Sequence, residues 1–257
     1  MIKVVKIGGN VLDDEAALKQ FCRSFAALEG PKVLVHGGGA LASKMQEKLG
    51  QKPLKIQGRR VTDPETLQVV TMVYAGWCNK LLVSLLQENG CNAIGLSGCD
   101  GNVVKAAKRP PLEIDGTPVD FGAVGDVTPA SVNRPLLEAL LAQNLVPVLC
   151  PINHDGAGNL LNTNADTVAS SVAAALGAEL WTCFEKDGVL RDINNPASVI
   201  PQLTAASFGQ LKEEGIIADG MLPKLENAFR ALREGASKVV ILNASKLLEG
   251  KGTAITL

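Results

Sequence analysis

Several residue types that advertise a function class are scarce in this chain. Aromatic side chains make up 4% of the 257 residues, too few for the stacking platforms that hold single-stranded nucleic acid. The formal net charge is -1, so no strong field points to nucleic acid or to an anionic membrane surface. With two histidines, His36 and His154, and no CxxC pair among six cysteines, there is no pattern for a structural metal. Cys22, Cys78, Cys91, Cys99, Cys150 and Cys183 read instead as small hydrophobes of a protein in a reducing compartment. No GxxxxGK[ST] phosphate loop occurs, and no apolar run reads as long enough to span a bilayer. The first residues enter a strand-like segment with no secretory signal, so the expected location is the cytoplasm.

What is present is alternation. Short β-branched runs predict strands at Val4–Ile7, Val33–His36, Ala93–Leu96, Val146–Ile152, Glu179–Phe184 and Val239–Leu242, with a further edge strand at Ala254–Leu257. Helical periodicity fits Asp14–Leu28, Ala40–Leu49, Arg134–Gln143, Asp166–Leu176, Ala205–Glu214 and Leu222–Arg233. Thr62-Asp63-Pro64-Glu65 opens a longer helix that runs to Asn89-Gly90, and Lys105 to Pro129 reads as hairpins and loops. The expected fold is α/β, a three-layer αβα sandwich around a largely parallel sheet. A division near Gly177 is expected, into residues 1–177 and 178–257.

Two glycine turns follow strands directly: Lys6-Ile7-Gly8-Gly9-Asn10 and His36-Gly37-Gly38-Gly39-Ala40. Glycine there lets backbone N–H groups approach an anion, and the next helix presents its positive end. A GGG sequence is equally a tight turn, and the dinucleotide fingerprint fails in its last position. Lys6 lies between Val5 and Ile7, where a lysine either snorkels to solvent or faces a phosphate. In Asp219-Gly220-Met221-Leu222-Pro223-Lys224, Pro223 marks a first helical turn, so Lys224 sits where the dipole is already positive. Such a lysine is either a tolerated surface residue or the partner of an anion. In Leu161-Asn162-Thr163-Asn164-Ala165-Asp166, Asn164 or Asp166 either caps a helix or orients a polar substrate. The Arg59-Arg60 pair offers a guanidinium suited to a carboxylate.

The ordered set KIGGN, VHGGGA, GRRVTD, LNTNADTVA and ADGMLPK, with GLSGCDGN and VGDVTP, strongly resembles the N-acetylglutamate kinases of the amino-acid kinase family. The resemblance covers nearly the whole chain and implies ATP-dependent phosphorylation of the side-chain carboxylate of an N-acylglutamate. By that likeness Lys6 and Lys224 stabilise the transferring phosphoryl group, and Asp166 organises them. Gly8, Gly9 and Gly38 contact phosphates, and Gly38 and Gly39 also border the acceptor. Arg60 clamps its α-carboxylate, with Asn162 and Asn164 at the N-acyl end. The likeness places the nucleotide near Glu185, Gly188, Leu190, Ile216, Ile217 and Ala218. One departure stands at Phe184-Glu185-Lys186-Asp187-Gly188, where the family has a turn similar to T-D-V-x-G. Mg²⁺ is implied with the ATP, without a protein cage.

Aspartokinase, glutamate 5-kinase, carbamate kinase and uridylate kinase are rivals within the family. A Rossmann-like dinucleotide binder leaves Lys6 and Lys224 unexplained, and a non-catalytic relative is disfavoured by the presence of both lysines with Asp166. The first strand starts close to Met1, which implies a homodimer like the short, arginine-insensitive members rather than a hexamer tied by an N-terminal helix. The apolar helix from Leu67 to Leu86 is expected to serve the dimer.

Overall fold

The computed structural model describes residues 1–217 and 221–257. Its centre is an eight-stranded sheet. In chain order the strands are β1 (Lys3–Ile7), β2 (Lys32–His36), β3 (Ala93–Leu96), β4 (Val146–Leu149), β5 (Glu179–Phe184), β6 (Gln202–Thr204), β7 (Lys238–Asn243) and β8 (Gly252–Thr256). Across the sheet the order is β6-β8-β7-β5-β1-β2-β4-β3. The six strands from β7 to β3 are parallel, whereas β8 runs antiparallel to β7 and parallel to β6.

Side chains alternate across the pleat and so sort into two cores. Val4, Val33, Val35, Leu180, Val239 and Ile241 pack on one face. That face is covered by α5 (Arg134–Ala142), α6 (Ala165–Leu176), α7 (Ala205–Glu213) and α8 (Met221–Arg233). Val5, Ile7, Leu34, Val148, Cys183 and Leu242 pack on the other. There they meet α2 (Glu15–Ala27) and the second half of α4 (Pro64–Glu88). The expected three layers are present. The remaining helices, α1 (Gly9–Asp13) and α3 (Gly39–Lys48), each start at a glycine turn.

Most expected elements appear within one or two residues of their boundaries, with three differences. The strand expected over Val146–Ile152 stops at Leu149, and the chain resumes as the hairpin Ile152–His154 with Leu160–Asn162, because Pro151 has no N–H to continue a ladder. The terminal strand is not an edge: β8 lies between β6 and β7. Finally, α4 is a continuous helix of 25 residues, long and apolar enough to cross a bilayer by length and composition, contrary to the sequence expectation. Half of its most apolar window is buried inside this protein, as expected of a core helix. Its middle, Met72–Cys78, is wound as a π-helix, a form that recurs at functional sites. The Lys105–Pro129 region forms hairpins as expected, including Leu112–Ile114 with Thr117–Val119.

Candidate active site

A cleft of about 660 Å³ opens at the carboxyl ends of β1 and β2, where an open α/β sheet binds ligands. Lys6, Gly38, Gly39, Arg60, Asn162, Asn164 and Asp166 all line it. Residues distant in sequence are thus brought together as the motifs suggested.

Lys6 shares the alternation of Val4, so its side chain leaves β1 on the α6 face rather than reaching solvent, and the residue is only 6% exposed. There it meets the start of α6, with Lys6 Nζ 2.8 Å from Asp166 Oδ1. Asn164 is the helix cap: its Oδ1 accepts from the N–H groups of Asp166 and Thr167 at 2.8 and 3.2 Å. Capping therefore accounts for Asn164 and fixes where Asp166 stands in the first turn. Lys224 is the fourth residue of α8, immediately after Pro223, which lines the cleft.

Arg60 comes from a two-residue hairpin, Lys55–Ile56 with Arg59–Arg60, whose Gln57 and Gly58 have φ of 48° and 75°. Its guanidinium is already anchored. Nη2 donates to Gly39 O and to Ser43 Oγ, both at 2.8 Å, and Nη1 donates to Gln46 Oε1. These bonds use three of the five guanidinium N–H groups, and the Tyr74 side chain is a further hydrogen-bonding neighbour. Gln46 is held in turn by Thr66 Oγ1 at 3.0 Å. The sequence reading missed Ser43 and Gln46. Their signal is spacing: Gly39, Ser43 and Gln46 fall at i, i+4 and i+7, one face of α3 behind the glycine turn. Asn162 Nδ2 donates to Thr62 Oγ1 at 3.1 Å, and that hydroxyl donates to Arg60 O at 3.3 Å. The N-acyl candidate is thereby tied to the carboxylate candidate.

Gly38 has φ of +149°, and a Cβ there would lie 2.9 Å from Tyr74 Cδ1 and 3.0 Å from Cys78 Sγ, both in the π-helical segment. Gly38→Ala is expected to cost roughly 1–3 kcal/mol of stability and to depress turnover. Thermal unfolding and steady-state rates check this; an alanine variant as stable and active as the parent would contradict it.

The cleft also holds residues to which the sequence reading gave no role. Arg109 forks onto Asp126, with Nε 3.1 Å from each carboxylate oxygen, across the paired segments Ala107–Lys108 and Gly125–Asp126. Counting Lys6, Lys55, Arg59, Arg60, Arg109 and Arg230 against Asp126, Asp166 and Glu226, cations outnumber acids six to three among the described residues of the lining. That imbalance favours an anionic ligand in a chain of near-zero net charge.

Several of the residues expected at a nucleotide lie outside the described lining. Gly8 precedes α1, and its N–H donates to Cys183 O at 3.3 Å; Gly9 is the first residue of α1. Glu185, Gly188, Leu190, Ile216 and Ile217 lie outside the cleft lining, and Leu190 and Ile217 are buried. Near Glu185, Asp187 binds Lys246 Nζ at 2.7 Å and Asn243 Nδ2 at 2.8 Å, and the Lys246 contact foremost holds its carboxyl below the usual range. Gly188 packs so closely that a Cβ would lie 2.7 Å from Thr253 Oγ1. Ala218, and Asp219-Gly220 of the same motif, lie outside the described residues.

The sequence profile of the amino acid kinase family matches residues 1–243. The chain belongs to the amino acid kinase family. Within it, the chain is similar to the acetylglutamate kinase of Bacteroides thetaiotaomicron, with 50% identity over 99% of this chain and 98% of that one. It is also similar to the acetylglutamate kinase of Methanopyrus kandleri, at 43% identity over 99% and 100% of the two chains. Among solved structures, the N-acetylglutamate synthase of Neisseria gonorrhoeae superposes with a TM-score of 0.83 at 24% identity. The match spans all of this chain and 59% of that one, a likeness of fold.

Proposed function

We propose that this kinase transfers the γ-phosphoryl group of ATP to the side-chain carboxylate of N-acetyl-L-glutamate, a step of arginine biosynthesis. A carboxylate oxygen attacks the γ-phosphorus, the bond to the β,γ-bridging oxygen breaks, and ADP leaves as the acyl phosphate forms. A side-chain carboxyl with a pKa of about 4.3 is already ionised near neutrality, so no general base is required. The task is to bring two anions together, which asks for cations and N–H donors held in place beforehand. The observation that carries the reading is the Lys6–Asp166 pair, set in one cleft between the Gly37–Gly39 turn and the anchored Arg60.

In this reading Lys6 and Lys224 neutralise charge on the phosphoryl group, and Asp166 orients Lys6. Arg60 takes the α-carboxylate, and Asn162 faces the N-acyl amide. Residues 1–177 hold the acceptor, and 178–257 hold ATP around Glu185–Leu190 and Ile216–Ala218. Among the described residues no group of three His, Cys, Asp or Glu side chains could hold a metal. Mg²⁺ accompanying ATP would be held by phosphate oxygens and water. Five of the six free cysteines are buried, which suits a cytoplasmic enzyme.

A coupled ADP-release assay with ATP and a panel of N-acetylglutamate, N-succinylglutamate, glutamate, aspartate and UMP tests the activity, and hydroxamate trapping identifies the acyl phosphate. Product is expected with N-acetylglutamate; turnover of UMP or aspartate alone would remove the assignment.

The same enzyme is proposed to act as a homodimer. On α4, Val69, Val70, Val73 and Tyr74 are buried, whereas Met72 and Trp77 are 57% and 64% exposed. A second copy covering this outer face would bury both. Light scattering should give twice the chain mass, and Trp77→Glu should reduce it to a monomer. A monomeric parent would refute the dimer.

A further inference from the structure

His36 is the last residue of β2 and directly precedes Gly37. It shares the alternation of Leu34, so its ring leaves the sheet on the α4 face, where it is completely buried. Its neighbours dictate its tautomer. Nδ1 lies 2.8 Å from Gly37 O, which can only accept, so Nδ1 carries the proton. Nε2 lies 3.1 Å from Asn79 Nδ2, which can only donate, so Nε2 accepts. The orientation of the Asn79 amide is itself fixed twice over. Nδ2 donates to Val148 O at 2.9 Å, and Oδ1 accepts from Lys80 Nζ at 3.1 Å. Gly95 leaves room for this, since a Cβ there would stand 1.9 Å from Asn79 Oδ1. Burial pushes the His36 pKa down to about 4, which keeps the ring neutral at pH 7.

The peptide that joins Gly37 to Gly38 has glycine on both sides, so no Cβ resists a flip of its plane. In a trans peptide C=O and N–H point in opposite directions. A bond that holds the Gly37 carbonyl towards His36 therefore turns the Gly38 N–H away from it. Gly38 lines the cleft. We propose that His36, oriented by Asn79, is a positioning residue for phosphoryl transfer: its Nδ1–H fixes the Gly37–Gly38 peptide and thereby aims the Gly38 N–H at the transferred group. This rests on the kinase reading of the cleft.

Two substitutions separate the ring's two bonds. The amide nitrogen of His36→Asn reaches the position of Nδ1 and keeps the donor to Gly37 O. His36→Gln places its amide near Nε2, keeping Asn79 engaged while losing that donor. Misdirecting one N–H donor should lower kcat about thirtyfold in His36→Gln, against about threefold in His36→Asn, with the KM for N-acetylglutamate within about twofold in both. A structural role alone would lower melting temperature in both without separating their kcat values. With two histidines in the chain, ¹⁵N-histidine NMR assigns the tautomer directly. The parent should show His36 protonated at Nδ1 and one sharp Gly38 amide signal. Equal kcat in the two variants, an Nε2–H tautomer, or a Gly38 amide exchanging between two states would overturn the proposal. The NMR result stands if a variant fails to fold. Absence of turnover in the parent overturns the kinase reading; an active parent with equal variants overturns only the role of His36.

Discussion

Lys6→Met is expected to lower kcat by roughly two to three orders of magnitude, the loss typical of one preorganised transition-state donor, with both KM values within about threefold. The reason lies in its placement. Lys6 is held between β1 and the first turn of α6, with its ammonium against Asp166 and its stem in the core. Methionine keeps the shape of the stem and removes only the charge. It also strands the Asp166 carboxylate, whose side chain is 21% exposed, so stability should fall as well. The double variant Lys6→Met/Asp166→Asn discriminates the two effects. It should recover melting temperature but not turnover. If it recovered both, Lys6 would be a structural residue and the catalytic role would pass to other groups. Lys224→Ala should reduce kcat by the same order.

Arg60→Ala should raise the KM for the acylglutamate about a hundredfold and leave kcat within about threefold. Truncating one partner of a buried carboxylate–guanidinium pair costs about 2–5 kcal/mol, and each 1.4 kcal/mol is a decade. A clamp on the α-carboxylate binds ground and transition states alike, so its loss appears in KM. The anchoring bonds to Gly39, Ser43 and Gln46 add a sharper expectation: Arg60→Lys should behave like alanine. An ammonium has three N–H groups in all, so holding those three acceptors would leave none for a ligand. An unchanged KM in Arg60→Ala would reverse the assigned roles, and a lysine variant with the parent's KM would show that the anchoring is incidental.

Much of this site is legible in the sequence because its carriers are local. A strand that ends in glycines, a proline inside a first helical turn, and a cap ahead of an acid each declare themselves within a few residues. Lys6 was ambiguous between solvent and phosphate, and only alternation across the completed sheet decides its direction. What could not be read is pairwise and distant. Asn79 meets His36 across 43 positions, and Asn162 meets Thr62 across 100. The Arg109–Asp126 fork joins two loop segments whose pairing no periodicity marks. The same limit misplaced β8: a terminal β-branched run looks alike at an edge or inside a sheet, and the short strand β6 that covers it carries little pattern of its own.

The position of β8 also sets an order of events during synthesis. Among the described residues β6 has no neighbour in the sheet other than β8, which the ribosome makes about fifty residues later. Until then β6 and α7, joined to it at Thr204, are tethered segments with an unpaired strand edge. The half of the sheet centred on β1, β2 and β4 has all its partners much earlier. Nascent chains stalled just before Gly252 should accordingly protect the β1–β4 half from protease while leaving the β6 region cleavable. The half of the sheet that holds β6, β7 and β8 is the last part of the molecule to close.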